Sequence, residues 1–335
     1  MKTFSRWHIM ALLMAMAVFF SSTVHGAPRY LFKVASLAPE GSVWAKRFQD
    51  FTAQVESESH GEIGFKIYPG GVMGDDRAMY RKMQVGQLHG GGFTMTGIGT
   101  MVPDFRVMGI PFLLNSYDEV DLVNEALWPS FSESFARKGM ELMALTEVGF
   151  AYTMSTRPIS TLEELKRSKT WTPEGDPISS SYLEMLGISP VMLSIPDVLT
   201  SLQTGMVDTV FNSFYGSIVL QWFTKAKYIS DIPFAYAYGA FLLDRKAFLR
   251  LPDNYAVLMK SAARKHFGLL LEDTRKSNKD ALEVLQANGT SLVKVDSETE
   301  ANLRSMRDKT IDAIQGRAFS AEILKAALKA LDGSR

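Results

Sequence analysis

Short apolar runs alternate with stretches of helical spacing along most of this chain, and that alternation restricts the fold more than any other feature. RYLFKVASLAPEG reads as a buried strand and a turn. VWAKRFQDFTAQVESESHG then places Val43, Trp44, Phe48, Phe51 and Val55 on one helical face before Gly61. EIGFKIYPGG alternates Ile63, Phe65 and Ile67 as a second strand closed by Pro69-Gly70-Gly71. GDDRAMYRKMQVGQL reads as a helix with acids in its first turn, where the helix dipole favours them. GGGFTMTGIGT matches neither dinucleotide nor P-loop spacing and is read as a strand with close backbone approach. The rhythm continues through ELMALTEVGFAYTMS as strand, TLEELKR as a helix with a Thr161/Glu164 capping box, and TWT as strand. DPISSSYLEMLG (helix), SPVMLSI (strand), PDVLTSLQTG (helix) and MVDTVFNS (strand ending on Asn212) complete it. Strands alternating with such helices imply parallel βαβ units and an α/β fold.

Residues 252–289 form one long helical pattern ending at Asn288-Gly289, long enough to bridge two bodies. TSLVKV is a further strand, SETE at Ser297–Glu300 a capping box, and SAEILKAALKALDG a last helix. No low-complexity linker interrupts the pattern, so two lobes with several chain crossings are expected.

The N-terminus stands apart. Lys2 and Arg6 precede an apolar run from Ile9 to Phe20, too short for a comfortable membrane span, and Val24 and Gly26 sit at the −3 and −1 positions of a cut before Ala27. Residues 1–26 are read as a cleaved signal peptide. Its removal takes two of 36 basic residues and leaves 34 against 36 acidic, which offers no electrostatic footprint for nucleic acid. Cysteine is absent, and only His60, His89 and His266 remain after the cut, none paired at metal-ligand spacing. Neither GxSxG nor HExxH occurs, so an exported hydrolase is disfavoured and no cofactor or metal is expected.

Four segments together resemble the periplasmic substrate-binding proteins of TRAP transporters, of the dicarboxylate and sialic-acid type. They are YPGGVMGDDRAMYRKMQVGQL, MVPDFRVMGIPFLL, STRPISTLEELKRSKTWTPEGDP and SPVMLSIPDVLTSLQTGMVDTVFNS, in register from about residue 30 to 290. The resemblance implies a type II-like periplasmic binding protein fold: two α/β lobes, a hinged cleft and a lobe-spanning helix. It divides the chain into 27–148 plus 238–277 as one lobe and 149–237 plus 278–335 as the other. A small-molecule ligand, TRAP-type permease subunits as partners and a periplasmic location are also implied, and a monomer is expected.

The same resemblance marks the site. The family strand matching TWTP carries an arginine that grips the ligand carboxylate in bidentate fashion; here the position is Trp171. A second family arginine, after Gly-Phe, is Ala151, between Phe150 and Tyr152. Polar family positions fall on Leu37, Thr94 and Met95, while the family asparagine survives as Asn212, followed closely by Tyr215. A buried carboxylate left unpaired costs on the order of 3–5 kcal/mol, or about two to four decades of affinity. The expected ligand is therefore neutral, apolar or cationic, lined by Phe150, Tyr152, Trp171, Phe211, Tyr215, Tyr236 and Tyr238. Glu147 and Glu174 are the nearest carboxylates for a cation. Arg77 reads as structural. An aromatic on a strand is more often core than contact, and a carboxylate held by another cation, a lipid carrier and a partner of a membrane sensor stay open.

Overall fold

The computed structural model describes residues 27–332; the signal-peptide reading of residues 1–26 lies outside the described residues. The chain runs β1 (Tyr30–Ser36), α1 (Val43–Glu58), β2 (Ile63–Tyr68), α2 (Asp76–Gln84), β3 (Gly90–Thr94), α3 (Met95–Ile98), α4 (Tyr117–Arg137) and β4 (Met140–Ser155). It continues through α5 (Leu162–Lys166), β5 (Trp171–Pro173), α6 (Pro177–Met185), β6 (Val191–Leu193), α7 (Val198–Thr204), β7 (Thr209–Asn212) and α8 (Phe214–Val219). The last part is β8 (Tyr228–Asp244), α9 (Arg245–Phe248), α10 (Asp253–Ala287), β9 (Ser291–Val293), α11 (Ser297–Ile314) and α12 (Ala321–Leu331).

An antiparallel ribbon of β4 and β8, 16 and 17 residues long, runs through both lobes. At one end β3 pairs antiparallel with Gly239–Leu243 of β8, and β1 lies parallel to both β3 and β2. At the other end β7 pairs with Tyr152–Ser155 of β4, and β9 lies parallel to β8 at Tyr228–Ser230. The parallel pair β5–β6 adjoins this end of the seven-stranded sheet through a bridge between Thr170 and Thr209. Register shifts at Glu147/Gly149 and Ala151/Tyr152 mark the crossover between the ends. Helix α10, 35 residues long, packs on α1, on β4 and on α8, and so touches both lobes.

Two expectations are corrected. The sheet is mixed, not parallel throughout: β4 carries the chain from one lobe to the other and β8 brings it back, so the two lie antiparallel. Asp296, one residue before the expected SETE box, caps α11, its carboxylate accepting from Thr299 N at 2.7 Å. Helix α12 packs on α4 and shares the core of Phe105, Phe131 and Phe135. Other local readings hold. The Thr161/Glu164 capping box forms, and Gly205 ends α7 in the left-handed region. At Gly90 a Cβ would lie 2.5 Å from Leu242 O, which is the close backbone approach read from GGG.

Candidate functional site

The C-terminal ends of β1, β3, β5 and β6 converge on a narrow gap between the lobes. Leu37, Asp76, Arg77, Thr96 and Gly97 form one wall, and Pro173, Glu174, Leu193, Ser194 and Ile195 the other, around a cavity of about 30 Å³. Asp76 is buried, accepting from Thr94 N at 3.1 Å and Thr94 Oγ1 at 2.5 Å. Burial pushes its carboxyl up to about 6, with the Thr94 bonds pulling the other way. Arg77 crosses the gap and donates to Glu174 Oε1 at 2.7 Å.

The sequence-predicted residues divide between cleft and core. Leu37 and Glu174 line the gap, and Thr94 caps α3 beside it, accepting from Gly97 N at 3.2 Å. Met95 lies on α3, not on a strand, and its side chain presses on Gly109. Trp171 is 3 % exposed, and its ring faces the second-lobe core. It meets Trp222 edge-on at 5.2 Å and donates from Nε1 to Leu193 O at 3.0 Å. Leu193 and Ile195 pack on the same cluster and line the gap, so Trp171 stands behind the wall and not in it. Ala151 is buried opposite Ala235 in the ribbon. Asn212 is turned into its own loop, its Oδ1 accepting from Ser213 N at 2.8 Å. Phe211 stacks on Phe234 at 4.5 Å and Tyr152 on Phe214 at 4.2 Å, both within the second lobe. Tyr238 is core: its hydroxyl donates to Phe105 O and its ring stacks on Tyr236.

A second group gathers at the crossover. Glu147 is fully buried and accepts from Tyr236 Oη at 2.9 Å and from Arg275 Nη2 at 3.1 Å. Arg275 also holds Asp121 in bidentate fashion and lies 4.6 Å above the Tyr117 ring, which Phe150 meets at 5.1 Å. Burial pushes Glu147 up from its ordinary value, and the Arg275 and Tyr236 bonds oppose it. Neither Glu147 nor Glu174 is free for a cationic ligand in this conformation, because each already holds an arginine. Tyr215 Oη accepts from Val43 N at 2.9 Å and its ring lies 5.1 Å from Trp44, a further contact between α1 and α8. Sequence reasoning missed Asp76, Leu193, Ile195, Trp44 and Arg275. The acids opening α2 were a visible signal for the first; Arg275 sits 128 residues from its partner Glu147 and had none.

Comparison with known proteins places these features in a group. The family model "DctP: Bacterial extracellular solute-binding protein, family 7" matches residues 34–317. The sialic acid-binding periplasmic protein SiaP of Vibrio cholerae is 26% identical over 178 residues, spanning 52% of this chain and 55% of that relative. The chain thus matches about half the length of the first curated relatives. The ectoine-binding periplasmic protein TeaA of Halomonas elongata is 22% identical over 84% of this chain and 81% of its own. Among solved structures, a TRAP periplasmic solute-binding protein from Desulfovibrio salexigens with bound orotic acid aligns with TM-score 0.85 at 22% identity, covering 91% of this chain and 99% of that one. A sugar acid binding protein from Advenella mimigardefordensis in complex with galactonate aligns with TM-score 0.86 at 19% identity, covering 92% and 100%.

Proposed function

Because the chain belongs to bacterial extracellular solute-binding protein family 7, we propose that it is a periplasmic receptor of a TRAP-type transporter, capturing one small molecule by lobe closure. It hands that molecule to membrane permease subunits and acts by binding, without turnover. The two-lobe fold and the ribbon crossover at Glu147–Tyr152 support a hinge there. The proposed lobes are 27–148 with 238–277 and 149–237 with most of 278–335, α12 excepted. Export by the N-terminal segment and a monomeric state belong to the same proposal.

The ligand is neutral, apolar or cationic, not a simple carboxylate. One observation carries this: the positions where the resemblance puts the family's arginines are Ala151 and Trp171, both buried, and the arginine that lines the gap, Arg77, is bound to Glu174. Leu37, Pro173, Leu193 and Ile195 give the walls an apolar character suited to such a ligand. A second reading has its own support. Arg77 lines the cleft, and the Desulfovibrio and Advenella proteins carry orotic acid and galactonate, so a ligand carboxylate would displace Glu174 from Arg77. Thermal-shift screening against sugar acids, dicarboxylates, amines and neutral apolar solutes separates the two. Stabilisation by amines or neutral solutes and none by acids supports the first. Stabilisation by an acid that is lost in Arg77→Gln establishes the second.

A further inference from the structure

The turn Glu174–Gly175–Asp176, between β5 and α6, is held by two arginines from the opposite wall. Arg77 on α2 donates to Glu174 Oε1 at 2.7 Å, and Arg106, in the turn of 3-10 helix over Pro103–Gly109, donates from Nη2 to Gly175 O at 3.3 Å. Gly175 has φ +82, and a Cβ there would lie 2.1 Å from Arg77 Nη2, so only glycine lets the guanidinium lie against the turn. Arg106 is buried, its other terminal nitrogen donates to Ala318 O at 3.4 Å, and its Nε has no partner. The buried Asp176 carboxylate of the same turn attracts the Arg106 charge, although the two form no direct ion pair. Both arms hold the same turn, and the Arg77–Glu174 pair exists only with the lobes together.

We propose that Arg77 and Arg106 are positioning residues that latch the closed cleft onto the Glu174–Gly175 turn. The proposal rests on the receptor reading, since a latch has meaning only where lobes part. Arg77 and Glu174 keep 34% and 50% of their side chains exposed, so the pair is screened by salt. Its loss is expected to lower the ratio of closed to open molecules about two- to fivefold.

The chain has no cysteine, so two introduced cysteines give unique labels. Val85→Cys and Met206→Cys, both strongly exposed and on opposite lobes, carry spin labels for distance measurement by double electron–electron resonance. The latch predicts two distance populations, with Glu174→Gln shifting weight to the longer. The charge swap Arg77→Glu with Glu174→Arg restores the shorter, and raising salt from about 0.05 to about 0.5 M opens the parent but not Glu174→Gln. Two populations unmoved by Glu174→Gln, or a swap that fails to restore closure, overturn the latch and leave the receptor reading standing. A single distance under every condition overturns lobe closure and the latch together.

Discussion

Trp171 and Asp76 show how residue identity at the cleft turns into measurable energy. The Trp171 indole fills the core behind Leu193 and Ile195, so its first role is packing. Trp171→Ala is expected to destabilise the fold by about 3–5 kcal/mol and Trp171→Phe by distinctly less, read from urea midpoints at constant m-value. A Trp171→Ala protein as stable as the parent would contradict the packing role. Asp76 gives a pH signature. Its folded value of about 6 lies above its ordinary 3.8, so the folded chain binds this proton more tightly than the unfolded chain does. The sign follows: the penalty of ionised Asp76 is present above about pH 6 and is relieved as pH falls towards 4. Between pH 7.5 and 4 the parent is therefore expected to gain up to about 3 kcal/mol relative to Asp76→Asn, roughly two units at 1.36 kcal/mol each. A parent–variant difference flat in pH would contradict this environment.

At the scale of elements, the crossover of the ribbon against α10 is the most demanding junction. Glu147 is fully buried and depends on Arg275, whose side chain is 23% exposed. Arg275→Met is expected to cost about 3–5 kcal/mol because it strands the Glu147 charge, and pairing it with Glu147→Leu should recover most of that. If the double variant is no more stable than Arg275→Met, the loss comes from packing or from Asp121, not from the stranded carboxylate. Local pattern made many elements legible. α10 showed as a sustained 3.6-residue period, and α5 through its Thr161/Glu164 box. Helix α4, with Pro129 inside it, and β8, with Pro233 and burial on both faces for much of its length, gave no clean period. The direction of a side chain was equally illegible. TWTP showed a strand end at the cleft, but whether Trp171 faces ligand or core depends on Trp222, Val198 and Val210, which arrive from other elements. The pairing of Glu147 with Arg275 and of Glu174 with Arg77 joins residues far apart in the chain, so their carboxylates looked free.

For the whole molecule, we propose a receptor whose cleft takes a ligand without a simple carboxylate. In the cleft Arg77 holds Glu174 while Asp76 is held by Thr94 without a cation among the described residues, and at the crossover Arg275 holds Glu147 and Asp121. The proposed ligand preference rests on this lining, in which Leu37, Pro173, Leu193 and Ile195 are apolar and its arginine, Arg77, is already paired with Glu174. The most direct measurement is native mass spectrometry of the exported protein, with release and identification of whatever it carries. One bound molecule per chain is expected, and it is neutral, apolar or cationic. A small organic acid in that position would contradict it and return the cleft to carboxylate recognition through Arg77.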